Sequence, residues 1–102
     1  MNIETALKNL NELLVGESSI PVDLNNRSIG IDESKVSKLM DTLDFLIEYY
    51  SDKDEIPKSL AFAFVDISKA FERCLPLYSE VEQDRIFDLK EDIVSKGYEI
   101  FE

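Results

Sequence analysis

The chain has 102 residues, of which 44% are hydrophobic, and its 22 acidic and 11 basic residues leave a formal net charge of −11. This length suits one domain with a single core. The excess of acids argues against nucleic acid and anionic membranes as partners, because both are bound through cationic side chains. Electrostatic steering favours a basic protein partner instead. The alternative is that the acidity only keeps a small protein in solution.

Glycine and proline are scarce, with three residues of each, which favours long helices over many short strands. The pattern predicts an all-α fold in which residues 1–102 form one domain. Four predicted helices with mostly short connections indicate a small antiparallel four-helix bundle. A three-helix core with the first helix loosely docked is the alternative.

Apolar residues recur every three or four positions from Ile3 to Leu14, which predicts a first helix over about Asn2 to Val15. Gly16 follows as its terminator. Residues 16–31 then break the period. Turn-forming residues in this segment permit a short β-hairpin or an irregular loop, and a loop of this length is a candidate contact surface.

Asp32 is placed to cap a second helix predicted over Glu33 to Tyr50. A third helix is predicted to begin at Pro57 and to end before Pro76, whose ring is incompatible with a helix interior. These two helices would be joined by a short polar turn.

The third predicted helix is apolar almost without interruption from Leu60 to Val65. A helix that is apolar all round is normally buried by its neighbours. The pattern therefore predicts a central helix with Phe62, Phe64 and Ile67 in the core.

The fourth helix has the clearest local signal in the chain. Ser79 followed by Glu82 has the spacing of a capping box. Ile100 lies seven residues after Ile93 and therefore on the same face, which predicts that the helix continues through Gly97.

No residue pattern points to catalysis, to a cofactor or to a metal. The chain has no histidine, so neither a serine nor a cysteine nucleophile has a histidine base, and zinc lacks a ligand set. Cys74 is expected to act as a small buried hydrophobe. Asp66 is expected either on an exposed edge of the third helix or against a cation such as Lys69. Without a leader or a membrane-length apolar run, the expected location is the cytoplasm.

Most of the negative charge falls in two segments. Residues 41–55 carry six acids and one base, and residues 79–102 carry eight acids and three bases. Within each segment the acids recur at helical spacing, so each set forms a like-charged stripe that repels itself. Such stripes are either solvated faces or surfaces for a cationic partner. The predicted partner-binding residues are Asp41, Asp44, Glu48, Glu80, Asp84, Asp88 and Glu91.

The segments Ala63 to Cys74 and Leu77 to Gln83, within a small acidic helical chain, resemble the small acidic α-helical immunity proteins that protect bacteria against toxins. The resemblance implies a cognate toxin, for example a nuclease, that the chain neutralises. It assigns no binding residue.

Two other functions are open from the sequence. A self-associating structural or adaptor bundle, and hence a possible homodimer, would use an apolar patch around Tyr49, Tyr50, Phe62 and Phe64. An acidic mimic of DNA would use the two stripes as imitations of phosphate rows and would act in a salt-sensitive way.

Overall fold

A computed structural model describes all 102 residues and contains helices but no strand. The all-α prediction is confirmed, and α1 packs antiparallel against α3. The molecule is elongated, with extents of 42 × 22 × 20 Å. The helices are α1 (Ile3–Leu14), α2 (Ile20–Leu24), α3 (Glu33–Tyr50), α4 (Lys58–Val65), α5 (Ile67–Glu72) and α6 (Glu80–Phe101), with a 3-10 helix at Leu75–Leu77.

Helix α3 lies at the centre of the fold. It packs against α1 on one side and against α6 on another, while α5 packs against α6 and α4 contacts α1. Leu39, Leu43 and Leu46 on its apolar face are fully buried, and the core continues onto the facing sides of α1, α5 and α6. The largest fully buried side chains include Leu10, Leu39, Leu43, Leu46, Phe71, Ile86, Leu89 and Ile93.

The start of α3 confirms the predicted cap. The Asp32 carboxylate accepts hydrogen bonds from the Ser34 hydroxyl at 2.6 Å and from the backbone N–H groups of Ser34 and Lys35 at 3.0 and 3.3 Å. The hydrogen bond from the Ser34 hydroxyl, followed by the one from the Lys35 backbone, lowers the pKa of Asp32. A carboxylate that is stabilised in the folded state in this way adds stability at neutral pH.

We expect Asp32→Asn to uncouple this cap from pH. Asparagine caps a helix but does not titrate. The pKa of Asp32 is lowered in the folded state. The extra stability of wild type over Asp32→Asn is therefore complete at neutral pH and is lost as the pH falls below about 4. Thermal unfolding of both proteins from pH 7 to pH 3 measures this difference in stability as a difference in Tm. Asp54→Asn, at an exposed site, is the control, and a Tm difference that is constant with pH for Asp32→Asn would contradict the argument.

The capping box at the start of α6 is confirmed in both directions. The Glu82 backbone N–H donates to the Ser79 hydroxyl at 3.3 Å, and the Ser79 backbone N–H donates to the Glu82 carboxylate at 3.1 Å. The helix also continues through Gly97 to Phe101 as predicted. These local signals depend on groups within four residues of one another, so the sequence reports them directly.

The prediction of one long central helix from Pro57 is wrong. Asp66 adopts φ −107° and ψ 16°, outside the helical region, and divides the segment into α4 and α5. Asp66 itself is exposed and makes no ion pair with Lys69. Aspartate is a weak helix former, because its carboxylate competes for backbone donors, and this is consistent with a break at that position.

The predicted burial of this segment is also only partly right. Ile67 is buried and Phe64 is half-buried, but Phe62 is 67% exposed and Val65 is 69% exposed. Helix α4 lies at the margin of the bundle, so no other element covers its outer side. The apolar run in the sequence therefore does not identify the most buried helix, which is α3.

The segment 16–31 is neither a hairpin nor an irregular loop, because it contains α2. Ser19 caps this helix, and its buried residues include Ile20 and Leu24, which dock it on the core. The Lys35 ammonium donates to the Asp23 carboxylate at 2.7 Å and holds α2 against α3. Pro21, one of the turn-forming residues of this segment, lies in the first turn of α2, where proline is also favoured.

Candidate functional site

All seven predicted partner-binding carboxylates lie on the surface. The first three project from α3 and the other four project from α6. The exposed set is Asp41, Asp44, Glu48, Glu80, Asp84, Asp88 and Glu91.

Two ion pairs bring α3 and α6 side by side. The Arg85 guanidinium donates to the Glu33 carboxylate at 3.2 Å, and the Lys96 ammonium donates to the Asp44 carboxylate. The two pairs are eleven residues apart along each helix, so α3 and α6 are in contact at two points about three turns apart. The outer sides of α3 and α6 therefore adjoin, and we refer to their exposed carboxylates as the acidic face.

Lys96 lies among carboxylates from both helices. Its hydrogen bond to Asp44, followed by the negative charges of Glu99 and Asp92, raises the pKa of Lys96. Asp92 and Glu99 therefore belong to the acidic face, although the sequence analysis did not select them. Asp92 lies four residues after Asp88, and extending the stripe by this one step would have found it.

Only two of the seven predicted residues are neutralised within the chain. Asp44 pairs with Lys96, and Glu91 pairs with Lys90 at 3.3 Å. Lys90 is itself mostly buried and is shared with Glu72 at 3.6 Å. The five predicted residues that have no ion pair are Asp41, Glu48, Glu80, Asp84 and Asp88.

The apolar patch predicted around four aromatic residues is not a single exposed surface. Tyr50 is buried, Tyr49 and Phe64 are half-buried, and only Phe62 is largely exposed. Tyr49 contacts the Tyr50 ring edge-on on α3, whereas Phe64 contacts the Phe101 ring on α6. Three of the four rings therefore belong to two separate aromatic contacts, and the fourth, Phe62, belongs to neither.

A different apolar feature lies between α4, α5 and the last two turns of α6. It is a shallow groove of about 300 Å³ with mainly apolar walls. Sequence analysis missed it because the groove residues on α4 and α5 were assigned to the core. The residues that form the groove include Phe64, Val65, Ile67, Val94, Tyr98 and Phe101.

Cys74 behaves as predicted. It is fully buried, its thiol donates to the Phe71 carbonyl at 3.0 Å, and burial raises the pKa of the thiol. No group of three or more cysteine or carboxylate side chains is arranged to hold a metal ion.

Comparison of the chain with family models, with curated proteins and with solved structures gives no match. None of the helices is both long enough and apolar enough to cross a membrane.

Proposed function

We propose that this protein is a binding module that neutralises a basic protein partner through the acidic face. The observation that supports the proposal is that two ion pairs join α3 to α6 along their length, because this brings the outer sides of both helices, which bear unpaired carboxylates, next to each other. The resemblance to small acidic immunity proteins makes a bacterial toxin the favoured partner, and a nuclease is one such toxin.

The charge balance supports this proposal. Fifteen of the 22 acids form no ion pair within the chain, whereas only five of the 11 bases are unpaired. Unpaired carboxylates on adjacent helices repel one another, and a partner that supplies lysines and arginines relieves this repulsion. The same field accelerates the encounter with a cationic surface, so binding would be fast and would weaken as salt increases.

The mechanism of neutralisation would be physical obstruction. A toxin that acts on nucleic acid needs a cationic surface to bind its substrate. An acidic protein that occupies that surface excludes the substrate by charge and by volume, and this needs no catalytic group on the inhibitor.

The test compares two variants with the same net charge. The face variant, Asp41→Asn/Glu48→Gln/Asp84→Asn/Asp88→Asn, removes four unpaired acids from the acidic face. The control variant removes four exposed, unpaired acids elsewhere and consists of Glu4→Gln, Glu12→Gln, Glu17→Gln and Glu55→Gln.

We expect wild type and the control variant to capture the same basic protein from the native host. Four exposed ion pairs at roughly 0.35 kcal/mol each correspond to about tenfold in affinity, so the face variant should bind that protein about tenfold more weakly. Affinity capture followed by titration with the purified partner at low and physiological salt measures this. Equal losses in the two variants, or capture of no basic protein, would refute the proposal and leave the acidic face as a solvated surface.

A further inference from the structure

A cationic side chain of the protein itself lies on an aromatic ring at the end of α3. The Lys53 ammonium is 4.0 Å from the centre of the Tyr49 ring. It also donates to the Tyr49 carbonyl at 2.8 Å and to the Asp52 carboxylate at 3.3 Å. An aromatic face, a carbonyl oxygen and a carboxylate all attract ammonium and guanidinium groups. This end of α3 is therefore built to hold a cation.

The Tyr49 ring forms part of a shallow hollow on the surface of α3. The hollow has a volume of about 390 Å³ and is lined by Phe45, Glu48, Tyr49, Asp52 and Lys53. The Phe45 and Tyr49 rings stack with their centroids 6.0 Å apart and their planes 20° from parallel. Both rings are half-buried, so the fold holds them in place while part of each ring stays accessible. We refer to this feature as the Tyr49 hollow.

The Tyr49 hollow adjoins the acidic face. Glu48, one of its lining residues, is an exposed carboxylate of that face and has no ion pair. Asp41, also unpaired, lies four residues before Phe45 and is therefore its neighbour on the helix surface. Lys53 is the single cation among the lining residues. Without its ammonium the aromatic wall would be bordered only by negative charge.

Lys53 is the part of this arrangement that is free to move. It lies in the connector between α3 and α4, outside both helices, and its side chain is 41% exposed. Its ion pair is with the preceding residue, Asp52, which is itself exposed. Exposed ion pairs of this kind contribute little to stability. Another cation can therefore take the place of Lys53 without disturbing the core.

We propose that the Tyr49 hollow receives a lysine or arginine side chain of the basic partner, which displaces Lys53 from the ring. This inference rests on the proposed function and deepens it, because it names an anchoring position beside the acidic face. Tyrosine is enriched among the residues that dominate binding at protein interfaces. Tyr49 would fix where one cation of the partner lies, whereas carboxylates alone attract any positive surface.

The other role open to Lys53 is that of a cap for α3. The Tyr49 carbonyl is one of the last four of the helix, and these carbonyls have no partner within the helix. The two roles predict different effects when Lys53 is replaced. Loss of a cap lowers the stability of the protein, whereas loss of a competing cation strengthens the binding of a basic ligand.

The test titrates a labelled oligolysine peptide by fluorescence anisotropy at low salt. Lys53→Gln removes the occupying cation. Lys69→Gln, which removes an exposed and unpaired lysine from α5, is the control with the same change in charge. Tyr49→Leu removes the aromatic face without a change in charge, and Tyr49→Phe retains that face. Thermal unfolding verifies that each variant is folded.

We expect Lys53→Gln to bind the peptide about threefold more tightly than Lys69→Gln, because both variants gain the same charge but only one vacates the ring. Tyr49→Leu should bind about threefold more weakly than wild type, and Tyr49→Phe should match wild type. Equal affinities of Lys53→Gln and Lys69→Gln would overturn the inference, and a lower Tm for Lys53→Gln would then assign the residue to capping. Lys53 is exposed, so this comparison holds even where Tyr49→Leu fails to fold.

Displacement of Lys53 is observed directly by NMR. The ring current of Tyr49 shifts the terminal methylene protons of Lys53 upfield, and binding of the peptide should return them to the ordinary position for lysine. A peptide that binds without moving these signals leaves Lys53 on the ring and contradicts the inference.

A further variant separates this inference from the proposed function. Asp84→Asn/Asp88→Asn, the part of the face variant that lies on α6, alters the acidic face without touching the hollow. If it weakens peptide binding while Lys53→Gln equals its control, the inference fails and the proposed function stands. If it has no effect, the proposed function fails, whether or not the hollow binds lysine. Sedimentation showing a dimer that Tyr49→Leu dissociates would assign the hollow to a second copy and overturn the inference.

Discussion

Replacing Phe71 with alanine is expected to lower the free energy of unfolding by about 3–5 kcal/mol. Phe71 is 1% exposed and belongs to the core between α5 and its neighbours. Truncation removes a fully buried ring and leaves a cavity that the surrounding helices fill only in part. Chemical denaturation, with the midpoint and slope fitted together, measures the loss.

Phe62→Ala is the matched control, because it makes the same chemical change in the neighbouring helix. Phe62 is 67% exposed, so its truncation should change stability by no more than about 0.5 kcal/mol. This pair of variants distinguishes two arrangements of α4. In one, α4 is buried on all sides, as the apolar run predicts; in the other, α4 lies at the edge of the bundle, as in the structure. A loss of several kcal/mol for Phe62→Ala would show that α4 is covered on its outer side, contrary to the structure.

Gly97→Val is expected to destabilise the protein by about 1–3 kcal/mol. Glycine normally weakens a helix, so its replacement in the interior of α6 would be favourable on propensity alone. Here the added side chain meets the Phe64 ring, and the resulting overlap exceeds that gain. The ring or the helix must then move, which also distorts the floor of the groove.

A double-mutant cycle isolates this contact. In a Phe64→Ala background the ring is absent, so Gly97→Val should cost less there than in wild type, with a coupling energy of about 1 kcal/mol or more. Gly16→Ala serves as the control, since a Cβ atom there meets no atom closer than 3.4 Å. Additive effects of Phe64→Ala and Gly97→Val would show that the ring swings aside without cost, and the groove would then have no fixed floor.

The acidic face was partly predictable. Helical spacing identified exposed carboxylates on α3 and α6, but it did not show that the two sets adjoin. Their adjacency depends on Lys96 meeting Asp44 and Arg85 meeting Glu33, and each of these pairs joins residues 52 positions apart. Spacing along one helix does not show such contacts. Extending the α6 stripe by four residues would have reached Asp92, whereas Glu99 is assigned to the face only through its proximity to Lys96.

The groove was not predictable, because the same pattern has two physical outcomes. An apolar run is buried only if other elements cover it on every side. Helix α4 is eight residues long and only one of its sides is buried, so Phe62 and Val65 remain in water. In α3, by contrast, α1 and α6 both cover the apolar face, and the helix with the weaker apolar run became the central one.

The sequence by itself determined the all-α class and the positions at which α3 and α6 begin, since Asp32 and Ser79 satisfy backbone donors within one turn. It also determined the negative charge of the surface. The tertiary structure decided which carboxylates adjoin, which are neutralised and which apolar side chains stay exposed. The physical reason is one of range: a cap depends on neighbours in the chain, whereas burial and ion pairing between helices depend on distant segments that only folding brings together.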